Sequence, residues 1–153
     1  MVPGCYSCET EAAIGDAPAR EAVHVEERWR LAHAFDSSLP GWLVLLPRRH
    51  VTALDELDAQ ESADLGRLLS ATSRALREVT GATKAYAMFF AEAEGFAHLH
   101  VHLVPRMPWF THDQLGPRVF TFLGASDADR VPYAEQDALA LRLRDALAAT
   151  GAA

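Results

Sequence analysis

The chain is short of several things that common functions require. Of its 153 residues, 14 are Lys or Arg against 21 Asp or Glu, a formal net charge of -7 with His neutral. Neutralising the phosphates of DNA, RNA or an anionic membrane takes clustered Lys and Arg, so this balance argues against bulk affinity for any of them. It leaves room for one small anionic ligand held by a local site. No apolar run nears the roughly 20 residues that a membrane-spanning helix needs. The opening MVPGCYSCET is neither basic nor apolar enough for a secretory leader, so the expected address is the cytoplasm. Internal repeats and low-complexity segments are absent. Only two cysteines occur, Cys5 and Cys8, in a C-x-x-C. In a reducing compartment such a pair reads better as metal ligands or a redox pair than as a structural disulfide.

What is present suits one globular domain over residues 1–153. A chain of this length buries roughly 70% of its unfolded surface and needs no stapling. Half of it is hydrophobic and 23% is charged, an ordinary soluble composition. VHVEERWRLAHAF (Val23 to Phe35) reads as two short strands around a turn at Glu26 and Glu27. GWLVLLPRRHV (Gly41 to Val51) holds an apolar run of strand length, opened by Pro40-Gly41 and closed by Pro47. The clearest helix follows. Asp58 is an N-cap with Glu61 three residues on, and Gly81 is a stop. Between them Leu65, Leu68, Leu69, Thr72, Leu76 and Val79 keep a helical stripe. Lys84 to Gly95 reads as a strand and then a loop. Residues 107–132 read as mostly irregular, with a short strand at Val119 to Leu123. The last stretch forms a helix with Leu139, Leu143 and Leu147 on one stripe. Short strands around one long helix predict an α+β fold with an antiparallel sheet.

The segment with the most chemistry is HLHVHLVPR, His98 to Arg106. Side chains alternate faces along a strand, so His98, His100 and His102 share one side while Leu99, Val101 and Leu103 share the other. The apolar side can pack under the long helix, and the imidazoles then look into a cleft. Rings lined up this way disfavour one another's protonation, which keeps them neutral near pH 7. Neutral imidazole is a nucleophile, a base and a metal ligand. Two readings stay open on the residues alone. In one, imidazoles chelate a metal whose water attacks the substrate. In the other, one imidazole attacks covalently and its neighbours hold the substrate's anionic oxygens.

With its alternation of His and apolar residues, HLHVHLV resembles the defining motif of the histidine triad (HIT) superfamily. LPGWLVLLPRRHV resembles that family's segment P-G-H-x-L-V-x-P-x-x-H, and the Asp58 to Thr80 helix and Pro105-Arg106 fall in the expected places. The resemblance covers about residues 5–106 and leaves a divergent segment, 107–153. It implies a five-stranded antiparallel sheet with one long helix and a C-terminal helix, paired in a homodimer. It also implies a nucleotide hydrolase or nucleotidyl transferase acting at the α-phosphorus of dinucleoside polyphosphates or nucleoside phosphate conjugates. Carried over, His100 is the nucleophile, His102 binds a phosphate oxygen, and His98 supports the site or binds metal. Zinc-bearing bacterial members imply a structural zinc on Cys5, Cys8, His50 and His98, with no organic cofactor. Asp36 is the candidate for ribose hydroxyls, and Leu31 or Phe35 could sandwich a base. Arg48, Arg49 and Arg106 could draw in phosphate.

Two departures bear on activity. Where the family has His after P-G, this chain has Trp42, whose indole could stack on a base or narrow the pocket. A phosphoramidate expels an amine that needs a proton, so losing that His predicts weaker phosphoramidase than anhydride cleavage. His33 or His112 could substitute. Before the triad, AEAEGFAHLH carries Phe96 where a polar leaving-group contact is expected. One lost donor of that kind costs on the order of 3 kcal/mol. A metal-dependent hydrolase and a non-catalytic nucleotide-binding protein remain the alternatives.

Overall fold

The structure is a computed structural model that describes residues 2–149 and 151. Among these residues five strands form one antiparallel sheet in the order β1-β2-β3-β5-β4. They are β1 (His24–Val25), β2 (Trp29–His33), β3 (Leu43–Pro47), β4 (Lys84–Met88) and β5 (Val101–Arg106). This is the α+β architecture expected from the sequence. Among the described residues three α-helices accompany it: α1 (Tyr6–Ala12), α2 (Ala59–Thr80) and α3 (Tyr133–Ala149). No helix among the described residues is long and apolar enough to cross a membrane.

Helix α2 starts and stops where its chemistry dictates. The Asp58 carboxylate accepts the Glu61 N–H at 2.7 Å, and Glu61 returns the favour to the Asp58 N–H at 2.9 Å. Gly81 ends it in the left-handed conformation. Leu68, Ala71, Ala75 and Leu76 of α2 and Leu139, Ala140, Leu143 and Leu147 of α3 pack on Leu31, Leu43, Leu45, Val101 and Leu103. All these strand residues point to one side of the sheet. That leaves the other side for Ala32, Val44 and His102, which sit in one cross-strand row.

The second side is partly roofed by the segment after β5. Sequence suggested a strand at Val119 to Leu123, but the chain forms a 3-10 helix over Gly116–Phe122. Gly116-Pro117 starts a tight turn, and Val119, Phe120 and Phe122 are then spent on a second apolar cluster with Trp42, Val104 and Phe110. Main-chain bonds from Ser38 N–H to Phe122 O and from Ala125 N–H to Asp36 O hold the segment against the β2–β3 turn.

That turn needs its glycine. Gly41 has φ +84°, and a Cβ there would stand 3.1 Å from Thr80 Cγ2. Left-handed backbone costs an L-residue roughly 1–2 kcal/mol, and crowding adds to it. Gly41→Ala is expected to destabilise the protein by roughly 2–3 kcal/mol in chemical denaturation with the denaturant slope unchanged. An unchanged midpoint would mean the turn relaxes freely.

Candidate functional site: a cavity over two imidazoles and an adjoining Cys/His cluster

A cavity of about 390 Å³ lies on the open side of the sheet. Ala32 and Val44 form part of its floor, His100 and His102 stand at one side, and Phe90 and Phe120 reach over it. The far wall is aromatic. Tyr6, Phe35 and Phe96 bring their ring centroids within 5.1, 5.5 and 6.2 Å of one another. Asp36 lines the same cavity, and its Oδ2 accepts the Gly124 N–H at 3.0 Å.

The two imidazoles are held in opposite tautomers. Nδ1 of His100 lies 2.8 Å from the His98 carbonyl oxygen. A carbonyl only accepts, so Nδ1 carries the proton and Nε2 keeps a bare lone pair. His102 is reversed: the Trp42 indole N–H donates to its Nδ1 at 3.0 Å. An indole only donates, so Nδ1 of His102 is the acceptor and the proton sits on Nε2. The rings meet edge to face at 4.8 Å. Burial, and then the neighbouring His100 ring, depress the pKa of His102 to about 4, so it is neutral at physiological pH. The pair thus presents one lone pair and one N–H donor side by side.

His98 is set apart from this pair. It is 1% exposed and does not line the cavity. Its Nε2–H donates to Pro47 O at 2.8 Å, which leaves the Nδ1 lone pair aimed at Cys5 Sγ (3.7 Å) and Cys8 Sγ (3.8 Å). Nδ1 of His50 lies 3.4 Å from Cys8 Sγ. The four ligand atoms fall within 4.8 Å of one another. A tetrahedral ion with Zn–S of about 2.3 Å and Zn–N of about 2.0–2.1 Å sets its S···N edges near 3.6 Å. One lone pair midway between two sulfurs suits a shared cation better than a hydrogen bond to either. Two Cys and two His, three of them buried, therefore fit a structural metal of zinc's size. Among the described residues no other His, Cys, Asp or Glu group has such geometry, so a metal held by His98, His100 and His102 together has no support.

Several sequence expectations are corrected. Trp42 is fully buried and absent from the cavity wall, so it neither stacks on a base nor narrows the pocket. Its indole packs against Phe120 and orients His102. Leu31 lies on the opposite, core side of the sheet. Arg106 binds Thr83 at 2.8 Å at the far end of β5. Arg48 pairs with Glu11 and Arg49 with Glu61, so both serve the scaffold. His33 lines the cavity but has both ring nitrogens engaged, by Ala34 O and by the Gly41 N–H. His112 is exposed on the surface. Neither offers a proton to a leaving group. Sequence reasoning missed Tyr6, Ser7, Phe90 and Phe120 in the cavity wall. The first two lay in plain view between the cysteines.

The family model for the HIT domain matches residues 19–108, more than half of the chain. The protein belongs to the HIT family. Known HIT proteins include nucleotide hydrolases and transferases. No curated protein matches the sequence. Solved structures do. A zinc-bound histidine triad family protein from Mycobacterium smegmatis is 22% identical, with TM-score 0.68 over 96% of this chain and 95% of that one. A histidine triad protein from Sinorhizobium meliloti is 24% identical, with TM-score 0.68 over 82% and 87% of the two chains. A uridylyltransferase mutant is 21% identical, with TM-score 0.65 over 95% of this chain but 48% of that one. These likenesses extend the shared fold beyond the matched domain, from near the N-terminus through α3.

A buried imidazole carries a pH dependence of stability. His33 is 3% exposed, and burial lowers its pKa to about 4 from 6.5. The folded state therefore resists a proton that the unfolded chain takes up. Its contribution is complete above about pH 6.5 and is lost as pH falls towards about 4, on the order of 3 kcal/mol at most. Denaturation midpoints between pH 7 and 4.5 should fall less steeply in His33→Gln than in the wild type. Parallel slopes would show that His33 ionises freely in the fold.

Proposed function

We propose that this HIT protein cleaves nucleotides at the α-phosphorus through a covalent nucleotidyl-His100 intermediate. The observation that supports this most is the paired tautomer arrangement: a bare Nε2 on His100 beside an N–H on His102, both bordering a cavity large enough for a nucleoside monophosphate. The His100 Nε2 lone pair forms the N–P bond as the bond from phosphorus to the leaving group breaks. The Nε2–H of His102 donates to a non-bridging phosphate oxygen as negative charge shifts there. Water then attacks the phosphorus, the P–N bond breaks, and the lone pair returns to His100 as nucleoside monophosphate leaves. An acceptor alcohol or phosphate in place of water makes the same half-reaction a transferase.

The leaving group follows from what is missing around phosphorus. The indole at position 42 has no proton to give in this pH range, and its N–H is already committed to His102. Leaving groups that depart as stable anions, phosphates and nucleotides, need no such proton. Phosphoanhydrides and dinucleoside polyphosphates are therefore the preferred class over phosphoramidates. Asp36, which lines the cavity and whose Oδ1 has no hydrogen bond among the described residues, is the residue this reading assigns to ribose hydroxyls. Cys5, Cys8, His50 and His98 hold zinc, which cross-links α1 to the sheet and supplies no step in the cleavage. A homodimer belongs to this reading, with β4 at the sheet edge available to a second copy.

Acid-quenched wild-type protein mixed with a dinucleoside tetraphosphate should carry one nucleotidyl mass adduct. His100→Ala should carry none and should lose turnover by on the order of 10⁴-fold or more. Trp42→Phe, which keeps an aromatic ring there but removes the donor to His102, should keep the adduct and slow turnover by on the order of tenfold, one hydrogen bond's worth. Turnover in His100→Ala near the wild-type rate would end the covalent reading.

A further inference from the structure

The cavity wall and the metal cluster share four consecutive residues, Cys5-Tyr6-Ser7-Cys8. The outer two belong to the Cys/His cluster and the inner two line the cavity. This turn opens α1, with Cys5 as its N-cap residue. We propose that the metal site governs nucleotide affinity, because the ion that ties Cys5 and Cys8 to His50 and His98 also sets Tyr6 in the cavity wall. The inference rests on the reading of the cavity as a nucleotide site and of the cluster as a zinc site.

The attachments of α1 show why the ion matters. Its C-terminal half is anchored independently, since the Glu11 carboxylate pairs with Arg48 at 2.6 Å and with Arg30 at 3.3 Å. Its first turn has far less. Tyr6 N–H donates to Gly95 O at 3.2 Å, and the Tyr6 ring leans on Phe35 and Phe96. Among the described residues, the turn's remaining polar contacts outside α1 and the N-terminal segment before it are those of the two sulfurs with the rings of His50 and His98. Tyr6 is 36% exposed, so ring packing alone gives it a weak hold. Without the ion the turn can swing away and take one side of the aromatic wall with it. A base stacked against that wall then loses part of its contact.

Coupling of this kind is reciprocal. If zinc tightens nucleotide binding by some factor, bound nucleotide tightens zinc by the same factor. The test uses the intact chain under reducing conditions, with AMP and GMP as probes. Zinc affinity is measured by competition with a chromogenic chelator, with and without saturating nucleotide. Nucleotide affinity is measured by calorimetry before and after zinc removal, with circular dichroism reporting the fold. We expect zinc to bind at least fivefold tighter when nucleotide is present, and nucleotide to bind weaker by a matching factor when zinc is removed. Tyr6→Ala keeps all four ligands, so it should still bind one zinc per chain but show weak nucleotide binding and no linkage. Tyr6→Phe should restore both. This arm stands even if the zinc-free chain unfolds. Equal zinc affinity with and without nucleotide, in a wild-type chain that binds both, overturns the coupling alone. A wild-type chain that binds no zinc, or neither nucleotide, overturns it together with the reading beneath it.

Discussion

One proton decides the chemistry of this site, the proton on Nδ1 of His100. It is committed to the His98 carbonyl 2.8 Å away, and that commitment leaves Nε2 as an unprotonated nitrogen at the edge of the cavity. Much else can be read as support for it. The carbonyl is fixed because His98 itself is fixed, by Pro47 on one ring nitrogen and by the Cys/His cluster on the other. His102 cannot compete for the same role, because Trp42 imposes the opposite tautomer on it. Two rings of identical covalent structure, two residues apart, thus become an electron-pair donor and a hydrogen-bond donor.

The sheet allows this by keeping its two sides distinct. Leu43, Leu45, Val101 and Leu103 go to the helices, and a one-residue slip in β5 would send His102 into that core. Gly41 contributes at a distance. Its left-handed turn brings Trp42 under the cavity and aims its own N–H at His33. Beyond the matched domain, the 3-10 helix over Gly116–Phe122 adds Phe120, which meets both Trp42 and His102 edge to face. The divergent segment therefore helps to build the site as well as to cover the sheet.

The sheet, the long helix and its caps were legible in the sequence because each rests on local chemistry: alternation, a capping box, a glycine stop. The Cys5, Cys8, His50 and His98 grouping was legible through the family resemblance, and the four ligand atoms do come together. What could not be read was which way a side chain faces when both options are chemically sensible. Trp42 suits a base stack and a buried donor equally well until its neighbours are known. Val119 to Leu123 has strand-like composition, but its apolar side chains go into the cluster with Trp42, Val104 and Phe110. Tyr6 and Ser7 were hidden by the motif that encloses them, since C-x-x-C draws attention to its ends.

The most direct measurement is the nitrogen-15 NMR spectrum of the imidazoles in mildly alkaline solution, where the rings are neutral. The account predicts a pyridine-type Nε2 and a protonated Nδ1 for His100, with the reverse pattern for His102. A spectrum in which His100 carries its proton on Nε2 would contradict it, because the nitrogen that faces the cavity would then have no lone pair to attack with.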